Sequence, residues 1–215
     1  MSTRILIADD HPLFRGALRV AVEAAVASPG IVEACDLDGV LSRMALEPDL
    51  DLVLLDLAMP GASGFSGLMI LRAQFAAVPV IIVSGSAEAA TVALAADLGA
   101  AGFIPKTTDI ATMQKAIAAV LAGGSWFPEP EGPAGLDQND SAMTKKLARL
   151  TPQQLRVLMM LSDGLLNKQI AFKLDVSEAT VKAHVSAILQ KLDVDSRTQA
   201  VIAASKIFAA RNAAA

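Results

Sequence analysis

The sequence predicts an α/β domain built on a five-stranded parallel, doubly wound sheet, followed by a linker and a small all-α domain of four helices. Three observations predict it. Short apolar runs of β type alternate five times with longer helical patterns as far as residue 121. An acidic stretch rich in Pro and Gly, without sustained period, follows Gly123-Gly124. The charge then changes sign along the chain. Residues 1–124 carry seven basic and thirteen acidic side chains, residues 125–144 four acids and no base, and residues 145–215 eleven bases and five acids. The expected division is 1–124 for the sheet domain, 125–147 for a flexible linker and 148–215 for the helical domain.

The strand runs are "RILIA" (4–8), "GIVEA" (30–34), "LVLL" (52–55), "VPVIIV" (78–83) and "AGFI" (101–104). Helical patterns fill 12–28, 37–46, 63–75, 87–98 and 108–121. Trp126 and Phe127, at the start of the linker, are placed to pack back on the first domain. Beyond it, helices are expected over 152–162, 168–174, 178–192 and 197–209. Thr151 before Pro152 is a good N-cap, and Ser177 caps the third helix with Glu178 where the helix dipole favours an acid.

Composition narrows the class. Hydrophobic residues make up 53% of 215, enough for a core, although much of that is alanine. One cysteine, Cys35, fits a reducing cytoplasm and reads as a small buried apolar residue of the second strand. No apolar run has the length of a membrane span, and the N-terminus turns acidic too soon for a signal peptide. The basic end points to a polyanion partner for that part alone.

The strand ends carry the chemistry. Strand one runs into "ADDHP", giving Asp9 and Asp10; strand three ends on Asp56; strand four gives Ser84; Lys106 follows strand five. Reactive groups in such sheets gather beyond the carboxyl ends of the strands. Three carboxylates in one cleft call for a cation, and oxygen ligands suit Mg²⁺. A lysine and a hydroxyl opposite would hold phosphoryl oxygens, leaving Asp56 as a nucleophile that becomes an acyl phosphate.

The motifs "ADDHP", "LLDLAMPG", "IIVSGS" and "GFIPKT" make residues 1–122 resemble the receiver domain of two-component response regulators, with its flavodoxin-like fold. The resemblance implies that Asp56 is the phosphoacceptor, fed by a sensor histidine kinase. Asp10 would bind Mg²⁺ directly, Asp9 mainly through water, and the Ala58 carbonyl would be a further ligand. Lys106 would pair with the phosphoryl group and Ser84 would be the switch hydroxyl. Phe103 would be the coupled switch aromatic, with Gly85 the small residue beside the phosphate. Two features depart from the commoner pattern: Thr107 stands where many receivers have proline, and the switch hydroxyl is Ser rather than Thr.

In the basic end, "LLNKQIAFKLDVSEATVKAHVSAILQKLDV" reads as helix, short turn, longer amphipathic helix. Val181, Val185, Ile188, Leu189 and Leu192 fall on the core face, while Lys182, Ser186 and Lys191 lie opposite, near Thr180 and His184. Residues 148–208 resemble the LuxR-type helix-turn-helix domain through "LTPQQLRVL", "GLLNKQIAFKL", "VSEATVKAHVSAILQKL" and "SRTQAV". With the receiver this is the pattern of the NarL/FixJ family, cytoplasmic regulators that bind double-stranded DNA and dimerise when phosphorylated. By resemblance Lys182, Ala183 and Ser186 face bases; Asn167, Lys168, Ser177, Thr180 and His184 meet phosphates. The last helix, with Ala200, Ala203 and Ala204, matches a dimerisation element. His11 and His184 lack a second His or Cys partner nearby and read as surface or supporting residues.

The competing enzyme class is a phosphohydrolase with an aspartyl nucleophile. It needs an acid two residues after the nucleophile, where this chain has Ala58. A protein of the same architecture that never accepts phosphate is the third reading, disfavoured by the complete set of pocket residues.

Overall fold

The computed structural model describes residues 3–129 and 138–208. Five strands, β1 (Arg4–Ala8), β2 (Gly30–Ala34), β3 (Leu52–Asp56), β4 (Val80–Ser84) and β5 (Gly102–Pro105), form one parallel sheet in the order β2-β1-β3-β4-β5. The helices between them are α1 (Pro12–Ala25), α2 (Leu37–Leu46), α3 (Ser66–Gln74), α4 (Ala89–Asp97) and α5 (Ile110–Leu121). The predicted sheet domain is therefore present, each strand lying within two residues of its expected limits.

Strand periodicity of two sorts the core into two layers. Ile5, Ile7, Leu52, Leu54, Ile81, Val83 and Ile104 pack with α1 and α5. Leu6, Ala8, Val53, Leu55, Val80, Ile82 and Phe103 pack with α2, α3 and α4. Leu52 to Leu55 are all within 1% of full burial, and each leucine so buried contributes about 1.5–3 kcal/mol. This explains why the run is apolar without alternation.

The chain leaving α5 returns along the edge of the sheet. Trp126 bridges to Gly102, its carbonyl accepting from the Phe103 N–H at 2.9 Å and its own N–H donating to Ala101 O at 3.2 Å. Gly102 permits this approach, because a Cβ there would stand 2.8 Å from the Trp126 carbonyl oxygen. Trp126 packs on the α1/α5 layer and Phe127 on the other, as the sequence led one to expect.

The linker is shorter than expected. Residues 138–147, assigned to it from the sequence, form a helix, α6 (Gln138–Leu147), packed on the last domain; expectations for 130–137 lie outside the described residues. Leu147 and Thr144 are buried, so α6 has an apolar anchor that the polar text of "QNDSAMTKK" concealed. The other helices are α7 (Pro152–Ser162), α8 (Asn167–Leu174), α9 (Glu178–Leu192) and α10 (Arg197–Phe208). Thr151 caps α7 in a reciprocal box with Gln154, and Ser177 Oγ accepts from the Thr180 N–H at 3.0 Å to start α9. Asp175 closes α8 at φ 53°, the left-handed cap that allows a tight turn into α9.

Two expectations are corrected. Cys35 lies just past β2 and is exposed, since the strand stops at Ala34 and the chain turns out toward the Asp36 cap. Ala200 and Ala204 of α10 are fully buried in the chain's own core, where α10 packs on α7 and α9. Their small size thus serves a contact within the domain.

Trp126 is the only Trp and there is no Tyr, so intrinsic fluorescence reads the β5 edge directly. Gly102→Ala is expected to shift its emission to the red and to lower the unfolding free energy by about 1–3 kcal/mol, measured by urea titration.

Candidate functional site

The two-residue step that sorts the core also builds the site. Continuing Ile5, Ile7 along β1 reaches Asp9; continuing Leu52, Leu54 along β3 reaches Asp56; Ile104 of β5 is followed at the same step by Lys106. Parallel pairing in register puts these three strand ends together. Asp9 is fully buried and Asp56 is 2% exposed. Lys106 Nζ lies 2.8 Å from Asp9 Oδ2 and 3.0 Å from Asp56 Oδ2, and 4.9 Å from the centre of the Phe14 ring. One ammonium thus compensates two buried carboxylates.

Burial pushes the Asp56 carboxyl above its ordinary value, a shift that Lys106 opposes and the neighbouring Asp9 charge reinforces. Burial alone would lower the Lys106 ammonium, but its hydrogen bonds and charge interactions with Asp9 and Asp56 outweigh that and hold it above its usual range. The Ala58 N–H donates to Asp56 Oδ1 at 3.2 Å, and the Ser86 N–H donates to Ser84 Oγ at 3.2 Å. Asp56, Ala58, Gly85 and Lys106 line a cleft of about 380 Å³ with His11, Leu13 and Phe14.

The donor set fits a hard divalent cation. Asp9, Asp10, His11 and Asp56 each offer one ligand atom, all within 4.8 Å of one another. Asp9 Oδ2 and Asp10 Oδ1 are buried; Lys106 Nζ lies 2.8 Å from the first and His11 Nδ1 2.7 Å from the second. His11 therefore belongs to the cluster. Its imidazole is exposed and meets Asp10, consistent with the surface or supporting role expected from the sequence. Phe14 and Arg15, whose guanidinium donates to the Asp9 carbonyl at 2.8 Å, also support the site from α1 and were not foreseen.

Ser84 and Phe103 lie toward the opposite layer. Phe103 is fully buried beside Val92 and Ala95 of α4, and Ser84 is 3% exposed. Their positions on adjacent strands, with Ile82 paired to Phe103, place the hydroxyl and the ring on the same side of the sheet.

In the helical domain Val181, Ile188 and Leu192 are buried with Val185 and Leu189 half-buried, as the spacing predicted. Lys182, Ala183 and Ser186 are exposed along the opposite face of α9; Thr180 and His184 flank them, half-buried. Lys168 is exposed and Asn167 half-buried at the start of α8. Lys182 is steadied by Glu178 one turn earlier, at 3.4 Å. Lys191 does not join this face. Its ammonium donates to Arg149 O at 3.0 Å and Gln154 Oε1 at 2.8 Å, closing α9 onto the α6–α7 turn. Gln154 Oε1 also accepts from the Thr151 N–H at 3.0 Å, so Lys191 ties the α7 cap to the end of α9.

Two measurements check these assignments. In Mg²⁺-free buffer Asp56→Asn is expected to raise the melting temperature at neutral pH. The raised carboxyl penalises the folded state once it ionises, so the gain should shrink as pH falls through the raised value toward the ordinary 3.8. Lys191→Met should cost about 1–3 kcal/mol in thermal unfolding, whereas exposed Lys182→Ala should stay within about 0.5 kcal/mol.

Comparison with known proteins agrees with this geometry. A response regulator receiver domain matches residues 5–118, and the LuxR family of bacterial regulatory proteins matches residues 148–204. The glycerol metabolism activator of Pseudomonas putida is 42% identical over 95% of this chain and 96% of its own. The nitrate/nitrite response regulator NarP of Escherichia coli is 36% identical, covering 93% of each chain. A structure of RcsB from Salmonella enterica serovar Typhimurium, bound to a promoter with a phosphomimetic, aligns over 96% of this chain and all of that one, at TM-score 0.56 and 25% identity. No helix among the described residues is long and apolar enough to cross a membrane. With a receiver domain and a LuxR-type DNA-binding domain in one chain, the protein belongs to the two-component response regulators, a family of DNA-binding transcription regulators and not of enzymes.

Proposed function

We propose that Asp56 accepts a phosphoryl group from a sensor histidine kinase and that this modification promotes pairing of two chains on DNA in the cytoplasm. The observation that carries the proposal is the Lys106 ammonium shared between buried Asp9 and Asp56. It holds Asp56 at the mouth of a cleft with one cation already aimed where phosphoryl oxygens would arrive.

In the transfer, an Asp56 carboxylate oxygen bonds to phosphorus as the P–N bond of the phosphohistidine breaks, and the imidazole leaves. Asp9, Asp10, Asp56 and the Ala58 carbonyl would hold Mg²⁺, which supplies charge neutralisation for the phosphoryl oxygens. Lys106 then turns from the carboxylates to the phosphate. The Gly85 position leaves room for the phosphate, and the Ser84 hydroxyl, released from the Ser86 N–H, can donate to it. Phe103, already packed inward, follows into the space that Ser84 vacates, altering the α4 and β5 surface. With Ala58 two residues after the nucleophile, no side chain there activates water. The acyl phosphate consequently persists, as a switch requires.

On DNA, Lys182, Ala183 and Ser186 would face base edges while Asn167, Lys168, Ser177, Thr180 and His184 meet phosphates. Light scattering with Mg²⁺ and beryllofluoride tests the first half: wild type should double in mass and Asp56→Asn should not. An Asp56→Asn chain that dimerises as wild type does would refute the assignment. For the second half, Lys182→Ala should lose specific DNA affinity by about ten-fold with phosphorylation unchanged.

A further inference from the structure

Helix α1 carries a charge at the head of its buried stripe. Leu18 and Val22 recur at helical spacing and are fully buried against the sheet. One turn before Leu18 the same stripe reaches Arg15, whose side chain is only 20% exposed. A guanidinium brought this close to a core needs acceptors for its N–H groups. Its Nη1 donates to the Asp9 carbonyl at 2.8 Å, and its Nε donates to Glu33 Oε2 at 3.2 Å. Glu33 stands on β2, paired in register with Ile7 of β1, so both side chains leave the sheet on the α1 side.

These contacts close a ring behind the Asp9–Asp10 turn. The Asp9 N–H donates to the Ala34 carbonyl at 3.2 Å, while the Asp9 carbonyl is held by Arg15. Arg15 is held in turn by Glu33, the residue before Ala34. Both backbone groups of Asp9 are thus fixed from the edge strand β2, one directly and one through α1. Glu33 also pairs with Arg19, one turn further along α1. The Arg19 hydrogen bond, joined by that of Arg15, holds the Glu33 carboxyl below its usual range, so Glu33 stays ionised. A guanidinium beside a divalent-cation site would by itself repel the ion. Here its charge is met by Glu33, and what it gives the site is a hydrogen bond to the backbone.

We infer that Arg15, braced by Glu33, is a positioning residue that fixes the Asp9–Asp10 turn in the shape that binds a divalent cation. This rests on the reading of Asp9, Asp10 and Asp56 as the Mg²⁺ site and adds what holds that site in place. Mg²⁺ tolerates little departure from its preferred oxygen geometry, so a backbone shift at Asp9 carries both neighbouring carboxylates away from it. Groups that orient metal ligands without touching the metal commonly change its affinity by about ten- to a hundred-fold. Position and charge make opposite predictions here. Losing a cation from beside the site should tighten the binding of another, whereas losing the brace should weaken it.

The test compares Arg15→Met, Arg15→Lys and Arg19→Met in the full chain. Binding is read from the electron paramagnetic resonance signal of free Mn²⁺, an ion suited to the same oxygen ligands, with Mg²⁺ added as competitor. Thermal melting of each metal-free variant establishes that it is folded. Arg15→Met should weaken Mn²⁺ binding by about ten-fold. Arg15→Lys keeps the charge but not the fork that joins Asp9 to Glu33, and should weaken binding in the same direction. Arg19 pairs with Glu23 and Glu33, and its loss leaves the Arg15–Asp9 bond in place. Arg19→Met removes the same charge as Arg15→Met and should stay within about two-fold of wild type. Tighter binding by Arg15→Met would show that the residue acts through its charge and would overturn the inference. So would wild-type affinity in either Arg15 variant, or equal losses in Arg15→Met and Arg19→Met. If wild type itself binds no Mn²⁺ that Mg²⁺ displaces, the metal-site reading fails, and the inference with it, whatever the variants do.

Discussion

Lys106 stands where three strand ends meet, and its ammonium is shared by two carboxylates that solvent barely reaches. Either carboxylate without it would be a buried, unpaired charge, costing several kcal/mol. The lysine therefore balances the charge of both carboxylates within the pocket. Its grip also defines the pocket's shape, because the same nitrogen lies over the Phe14 ring and so ties α1 to β1, β3 and β5. A compensated cluster of this kind is stable enough to fold and unbalanced enough to respond. Any new charge at Asp56 must redistribute the one ammonium.

The sheet separates the acidic cluster from Ser84 and Phe103. Asp9, Asp56 and Lys106 extend the rows that face α1 and α5, while Ser84 and Phe103 belong to the rows that face α3 and α4. Asp56 and Ser84 stand at the ends of neighbouring strands, on opposite faces of the sheet. The α3 and α4 layer is also where the second domain rests, through α3 and α7. The edge of β5 carries the first residues of the tether, hydrogen-bonded to Phe103 itself. The acidic cluster, the Ser84–Phe103 pair and the tether are therefore adjacent, although each occupies a different surface of the sheet.

Much of this was legible in the residues. Five apolar runs with five helical patterns suffice for the sheet, since burial on both faces leaves an unbroken hydrophobic text that nothing exposed can mimic. Asp9, Asp56 and Lys106 were legible because strand ends are marked by abrupt polarity, and the family motifs "ADDHP" and "GFIPKT" added their roles. Less local features were not. Lys191 looked like a groove-facing lysine because helical spacing gives a side chain's root and not where a long flexible stem ends. Helix α6 was hidden because its stabilising contacts are with α9 and α10, distant in sequence. Cys35 was misplaced by one residue at a strand boundary, enough to turn it from core to solvent.

What the sequence by itself determined is the list of elements apart from α6, their order, and which side chains sit at strand ends or, Lys191 excepted, on the polar face of α9. Those follow from periodicity and polarity, which are properties of neighbouring residues. Only the tertiary structure decided that one lysine serves two aspartates, that His11 joins them, and that Ala200 and Ala204 are spent on the chain's own core. Only it, too, showed Leu155 of α7 sharing a crevice with Met69 and Ala73 of α3. Each of these depends on which surfaces meet across long sequence separations. A residue's pattern states that a surface must be buried, while the partner that buries it is chosen by packing among all the elements at once.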